Sequence, residues 1–433
     1  MKAHPDDDTI LDHLQRAAFD YFLLRANPAN GLIPDTSRPG SPASIAVVGF
    51  ALSCYPIAVE RGWIQREDAI RRTLATLRFF WHGPPGATFA TIGHRGFCYH
   101  FLDIESGKRA WKCEVSFIDT ALLLAGMLTA MSYFTRRTKD ETEIRKLADQ
   151  FYRRIEWDWA LNGCETLAMA WQPGDGFNPS RWAGYNESLI LYFLGLASPT
   201  HPLAPEDYTV WASSYEWRQV YDIGYLYGGP LFVHHFSHAW VDFRGIRDAF
   251  MEGKDCDYFE NSRRAALIQQ KYAVENKFGF TGYARNCWGL SAGDGPCDGT
   301  VRAGDTDHPA LGYAARGVPD GPDDGTLMPS AVVSCLPFAP GITMKAIAFM
   351  DKTYPRVIQN YHIPSGFNPS VLNDKGEMWI SDGYYGLDQG IMTMMIENHR
   401  TGMVWNLMRG NRYIKRGLRR AGFKGGWIDA KAT

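Results

Sequence analysis

Apolar residues recur every three or four positions along most of this chain, and the stretches between are rich in Gly, Pro and aromatic residues. That spacing marks one face of an α-helix. It places Ile10, Leu11, Leu14, Ala17, Ala18, Tyr21 and Phe22 on one stripe of a helix over 9–26, with Asp8 as its cap. A second helix opens at Ser41 or Ser44 and runs to Ala58; Pro42 suits a first helical position. The same rule predicts helices over 66–81, 117–134, 140–157, 186–196, 207–217, 236–251, 258–275, 325–336, 341–351 and 387–398, with a tail helix near 403–407. The 117–134 and 186–196 segments are apolar on nearly every face and so belong inside, whereas 140–157 is charged on one side.

About twelve helices in hairpin pairs, with no Pro/Ser tract between them, predict one all-α domain over 1–433. It is a toroid with an inner ring of apolar helices and an outer amphipathic ring. The acidic segment 1–8 is expected to be flexible and 409–433 to form a C-terminal tail. An α-solenoid is the rival, but no repeat of about 34 or 40 residues is visible. Long loops over 27–38, 83–112, 171–183, 290–324 and 361–385 are the places where function concentrates. Within them 97–104 suggests a β-hairpin, and 290–324 suggests an active-site loop rather than a domain boundary.

Composition narrows the function. Of 433 residues 21% are charged, the net charge is -2, and no Lys/Arg run is long enough to hold nucleic acid or an anionic membrane. No stretch reaches the length of a membrane span. Aromatics make up 14%, with 14 Trp and 21 Tyr, and such rings stack on the apolar C–H faces of sugars. The eight cysteines contain no Cys-x-x-Cys pair, so free thiols are the default, with a disulfide such as Cys287–Cys297 left open. No signal peptide is visible, which places the chain as written in the cytoplasm, or in the periplasm if a signal was removed.

Two carboxylates enter apolar helices. Glu187 lies in Gly184-Tyr185-Asn186-Glu187-Ser188, expected in the first turn of 186–196, and Trp171 lies just upstream. Such a Glu either complements the helix dipole or sits half dehydrated at a cavity rim, where its raised pKa suits a general acid. Asp119, in Ser116-Phe117-Ile118-Asp119-Thr120, either bonds neighbouring hydroxyls or faces the same cavity. Paired acids are the working parts of glycoside hydrolysis.

In 286–296, Trp288 could stack on a sugar and Asp294 could bond its hydroxyls or hold water; an Asp-Gly turn is the alternative. Asp382 and Asp388 cap a helix or serve a similar site. His234 and His238 stand one helical turn apart, yet lack a third ligand, so His235 and His238 are expected to bind sugar rather than metal. Neither a Walker A motif, nor a dinucleotide fingerprint, nor a Gly-x-Ser-x-Gly elbow is present, and neither metal nor cofactor is predicted.

Several ordered strings carry a resemblance. They are Tyr185-Asn186-Glu187-Ser188, Gly195-Leu196-Ala197-Ser198-Pro199-Thr200-His201-Pro202, Gly229-Pro230-Leu231-Phe232, Phe236-Ser237-His238, Trp240-Val241-Asp242-Phe243-Arg244-Gly245, Asp257-Tyr258-Phe259-Glu260-Asn261-Ser262-Arg263-Arg264 and Gly386-Leu387-Asp388-Gln389-Gly390. Together they resemble the glucoamylase-like family that contains bacterial endo-β-1,2-glucanases and is related to a domain of cyclic β-1,2-glucan synthases. The resemblance runs from about Asn27 to Met408. It implies an (α/α)6 barrel with a sugar cleft, action on β-1,2-glucan, and no catalytic metal. It implies Glu187 as catalytic acid, Asp119 as a cleft acid, and Asp294 and Asp388 as further cleft residues.

Transglycosylating relatives carry Glu where this chain has Arg285, so an inverting mechanism is implied, with Asp119 or Asp294 assisting water. The expected function is therefore an inverting endo-β-1,2-glucanase with Glu187, Asp119 and Asp294 catalytic. Trp171, Tyr185, His235, His238, Trp288, Asp382 and Asp388 are the expected oligosaccharide-binding residues. A transglycosylase, an exo-acting glycosidase and a non-catalytic glycan-binding protein are the alternatives. Oligomeric state is not legible.

Overall fold

The computed structural model describes residues 5–430 apart from Asp298 and Tyr361; the remainder of the 1–8 and 409–433 expectations, at 1–4 and 431–433, lies outside the described residues. The first helix, Pro5–Arg25, begins ahead of the expected Asp8 cap, so 5–8 are helical rather than loose. The chain divides into two compact units. One holds Phe22–Tyr215, Ser237–Tyr258 and the residues from Gly402 on; the other holds the N-terminal residues up to Tyr21, Glu216–Phe236 and Phe259–Thr401.

In the first unit apolar helices are paired with amphipathic ones. Ile45–Glu60 is buried at every position from Ile45 to Ala58, and Leu189–Ala197 along its whole length. Phe117–Tyr133 is nearly as covered and packs against both. Amphipathic Arg66–His82 and Lys139–Arg154 pack on each other, burying Leu74, Leu77 and Phe80 on one side and Ile144, Leu147 and Phe151 on the other. Arg66 and Glu141 clamp the pair through two hydrogen bonds of 2.9 and 3.1 Å. The residues expected as a tail form the Arg412–Arg420 helix, which lies on Leu189–Ala197.

Two glycines let Ile45–Glu60 and Phe117–Tyr133 approach backbone to backbone. A methyl group at Gly49 would lie 2.3 Å from the Leu122 carbonyl oxygen, and one at Gly126 would lie 2.0 Å from the Gly49 carbonyl oxygen.

The second unit mixes helices with hairpins. Gly386–Arg400 packs on Pro329–Ser334, and Gln15 ties the first helix to it by donating to Thr393 O and Glu397 Oε2, both at 3.0 Å. Trp217–Val220 pairs with Ile223–Leu226, Thr300–Ala303 with Thr306–Pro309, and Phe367–Leu372 with Met378–Ile380. Ala292–Gly293 pairs with Ala314–Ala315 and closes the long loop expected over 290–324.

Several expectations are corrected. No hairpin forms within 97–104: Phe97–Cys98 pairs back with Gly93–His94, and Phe101–Leu102 pairs with Ala43–Ser44. The 236–251 helix stops at Trp240, because the buried Asp242 carboxylate takes Arg244 and Gly245 turns at φ 71°; helix resumes at Ala249–Glu252 under an Asp248 cap. Helix Pro205–Ser213 ends early and Trp217 opens a strand. Pro329 at the first position delays the 325–336 helix. All eight cysteines are free, with Cys287 buried and Cys297 exposed.

The close helix pair sets a first prediction. Gly126→Val is expected to destabilise the protein by about 2–4 kcal/mol through overpacking against Gly49. Urea unfolding checks this, and an unchanged midpoint would show that the helices can part without cost.

Candidate active site

The site begins with a short sheet. Val115–Ser116 pairs with Ala170–Gln172, which pairs with Gly176–Phe177. Ser116 then caps the Phe117–Tyr133 helix, its hydroxyl accepting from the Asp119 N–H at 3.2 Å and donating to Asp119 Oδ2. Asp119 thus sits in the first helical turn as expected, 9% exposed, with its carboxylate at the positive end of the helix.

His100 faces it. The imidazole donates from Nδ1 to Glu114 Oε1 at 2.8 Å, and its Nε2 stands 3.6 Å from Asp119 Oδ2. The His100 backbone is fixed too: its N–H donates to Glu114 O at 3.0 Å, and its carbonyl accepts from Ile45 N at 3.2 Å, where the Ile45–Glu60 helix begins. Burial pushes the ring's pKa down, but the carboxylates of Asp119, Glu114 and Asp35 outweigh burial and raise it to about 9. Asp35 is lifted to about 6 by burial, with His100 opposing and Asp119 adding.

Glu187 belongs to the same unit. It is not in the first turn of the helix, as expected, but in the turn just before Leu189–Ala197. The cause is local: Asn186 Oδ1 accepts from the Ser188 N–H at 3.0 Å and folds the chain before the helix starts. Ser237 secures this entry, its hydroxyl accepting from Ile190 N at 3.1 Å and donating to Glu187 O at 3.4 Å. The Glu187 side chain keeps some solvent contact, yet crowding desolvates its carboxyl. Burial raises its pKa to about 7; its own backbone N–H opposes, and the Asp119 charge adds. Asp119 and Glu187, the two acids singled out in sequence, therefore interact.

Trp171 is half-buried on the middle strand, stacked on His94 at 4.3 Å with Trp159 at 5.7 Å. Tyr185 is a correction. It is 7% exposed and packs on Tyr258 and Tyr215, beside the buried Tyr208 and Tyr258 hydroxyls that both donate to Asp248, so it seats the Glu187 turn rather than offering a face to sugar. His238 is likewise core: fully covered, edge-on to Phe243, with its carbonyl held by Trp405.

In the other unit Asp294 is buried. Its carboxylate accepts from Ser381 Oγ at 2.7 Å and Tyr385 Oη at 3.0 Å, and its N–H donates to Ser365 Oγ at 3.2 Å. The loop carrying it is stapled by the buried Arg316–Asp324 pair, whose guanidinium also donates to Gly293 O and Gly312 O. Asp388 lies in the first turn of Gly386–Arg400 and accepts from Ser330 Oγ at 2.9 Å; Asp382 is exposed beside Ser381. Arg285 is exposed.

Trp288 and His235 are corrections here. Both are covered to within 2%, Trp288 in the apolar core and His235 between Cys335 and Phe338, where burial lowers its pKa to about 3. Neither offers surface to a sugar.

Sequence reasoning missed Asp35, His100 and Glu114. The one available signal was a lone His inside the aromatic run Phe97-Cys98-Tyr99-His100-Phe101.

The family model for glycoamylase, described as "Putative glucoamylase", matches residues 179–412, more than half of the chain. The chain belongs to the glycoamylase family. A solved Bacteroides uniformis protein, described in the same words, is 30% identical with a TM-score of 0.86, over 99% of this chain and 100% of that one. The endo-β-1,2-glucanase of Chitinophaga pinensis, solved with sophorotriose and glucose, is 26% identical with a TM-score of 0.83, over 97% and 99%. The exo β-1,2-glucooligosaccharide sophorohydrolase of Parabacteroides distasonis is 29% identical over 96% of this chain. This chain spans 58% of that relative's length. The fold is accordingly the all-α, (α/α)6 class of the glucoamylase-like glucanases.

The His100 network of this glycoamylase-family chain carries a second prediction. The His100 imidazole is expected to titrate near pH 9 by NMR, and Glu114→Gln to lower the midpoint. Because the folded value is raised, its contribution to stability is complete below the ordinary value of 6.5 and fades as pH rises through about 9. A midpoint at the ordinary value in the intact protein would contradict the ion cluster.

Proposed function

We propose that this chain is a glycoside hydrolase that cleaves β-1,2-linked glucan with inversion, and that Glu187 is its general acid. One feature carries the reading: burial, with the Asp119 charge adding, lifts the Glu187 carboxyl to about 7, so a large share of it is protonated at neutral pH and the proton is readily given up. The linkage is supported by the named activities of the Chitinophaga and Parabacteroides relatives.

In the proposed step Glu187 protonates the glycosidic oxygen as the anomeric C–O bond breaks. Water adds from the opposite face and loses its proton to a carboxylate, for which Asp119 is the proposed acceptor. His100, anchored to Glu114, keeps a positive charge facing Asp119. Arg285 supports inversion, because a guanidinium cannot form a covalent glycosyl ester. Asp294 is proposed to hold water or a sugar hydroxyl through the carboxylate that Ser381 and Tyr385 already orient. Endo cleavage is the mode expected from the motifs; the sophorohydrolase likeness favours exo release of disaccharide. The length of the first products from a linear glucan separates the two.

Glu187→Gln is expected to lower kcat by about 10²–10⁴ while the unfolding midpoint stays put. Wild-type activity should fall as pH rises through about 7, because the acid must be protonated. NMR of the first product should show the α-anomer. Undiminished turnover in the Gln variant would remove Glu187 from the mechanism, and a β-anomer would replace inversion by retention.

A further inference from the structure

We propose that Trp111 is a stacking platform for a glucose ring of the glucan chain, a binding site separate from the carboxylates that set the chemistry. The proposal rests on the glucanase reading above for its ligand. Among the described residues Trp111 is the most exposed aromatic side chain, 70% open, ahead of Tyr313 at 59%. The exposure of one aromatic ring is not by itself a site; what distinguishes Trp111 is the loop that presents it and the rings behind it.

The loop is built. Trp111 and Lys112 both adopt left-handed backbone, at φ 51° and 52°, a conformation that non-glycine residues seldom hold in succession. Three side-chain bonds impose it. Arg109 donates from Nε to Cys113 O and from Nη2 to Lys112 O, each at 2.6 Å, and Gln172 Nε2 donates to Lys112 O at 2.8 Å. The Arg109 guanidinium rests over Tyr99 at 4.6 Å. Strain of this kind, paid by several fixed bonds, displays the indole instead of folding it inward.

Its location suits a substrate. The Trp111 ring leans on Phe101, with centroids 5.2 Å apart and planes at 57°. Phe101 in turn stacks on His100 at 3.8 Å and 16°. His100 faces Asp119, and Glu114, its hydrogen-bond partner, lies three residues beyond Trp111. Gln172, which ties the loop tip, follows Trp171 on the adjacent strand. The indole is thus two ring contacts from the ion cluster, close enough for a chain held at the carboxylates to reach it. A glucose ring with equatorial hydroxyls presents apolar C–H faces that match an indole. A platform set apart from the reacting bond contributes to long chains and not to short ones.

The test uses the full chain with Glu187→Gln to stop turnover, with and without Trp111→Ala or Trp111→Phe. Calorimetry follows binding of sophorose, longer β-1,2-gluco-oligosaccharides, and β-1,3- and β-1,4-linked oligosaccharides. Trp111→Ala is expected to weaken the longer β-1,2 chains about three- to tenfold, the worth of one aromatic contact, and to leave sophorose unchanged. Trp111→Phe should restore most of the loss, and thermal midpoints should not move because the side chain is exposed. Equal affinity in the Ala variant for every chain length would overturn the platform. If the parent binds only another linkage and loses it with Trp111→Ala, the platform stands and the β-1,2 reading falls. If the parent binds no glucan, both fall.

Discussion

The interaction that governs this site is the gathering of largely buried carboxylates around one cation, His100. Burial lifts the Glu187 carboxyl to about 7, and the Asp119 charge adds to that rise. Asp35 feels the same field, and His100 is the cation that keeps the group from repelling itself apart. Burial sets most of the rise at Glu187 and Asp35, and the Asp119 charge adds to it at both.

The helical scaffold exists to hold that set still. Gly49 and Gly126 bring two helix backbones together, so the start of Phe117–Tyr133, with Ser116 and Asp119, is fixed against the start of Ile45–Glu60. The Ile45 N–H is in turn capped by the carbonyl of His100, so one residue both begins a helix and faces the acid of the next. Ser237 performs the equivalent task for the Glu187 turn. A shift at any of these contacts would move a charge relative to its neighbour.

The helices were legible because burial imposes a 3.6-residue period, and Asp119 and Glu187 were legible because a carboxylate at the mouth of an apolar helix stands out against that period. What escaped has equally physical reasons. His100 and Asp35 reach the cluster from irregular backbone, where spacing carries no information about direction. Trp288, Tyr185, His235 and His238 were misassigned because an aromatic or His filling a core and one lining a cleft look alike in sequence. Asn186 moved the helix start past Glu187 through a side-chain bond that no periodicity registers. Trp111 was hidden inside a loop whose conformation depends on Arg109 and Gln172, the latter sixty residues away.

Protonation of Glu187 is the property on which the proposed chemistry depends. Carbon-detected NMR of the side-chain carboxyls across pH 3 to 10, on wild type and Asp119→Asn, measures it directly. A midpoint for Glu187 at about 7 that drops when the Asp119 charge is removed is the result this structure requires. A midpoint at the ordinary 4.5 in wild type, indifferent to residue 119, would contradict it.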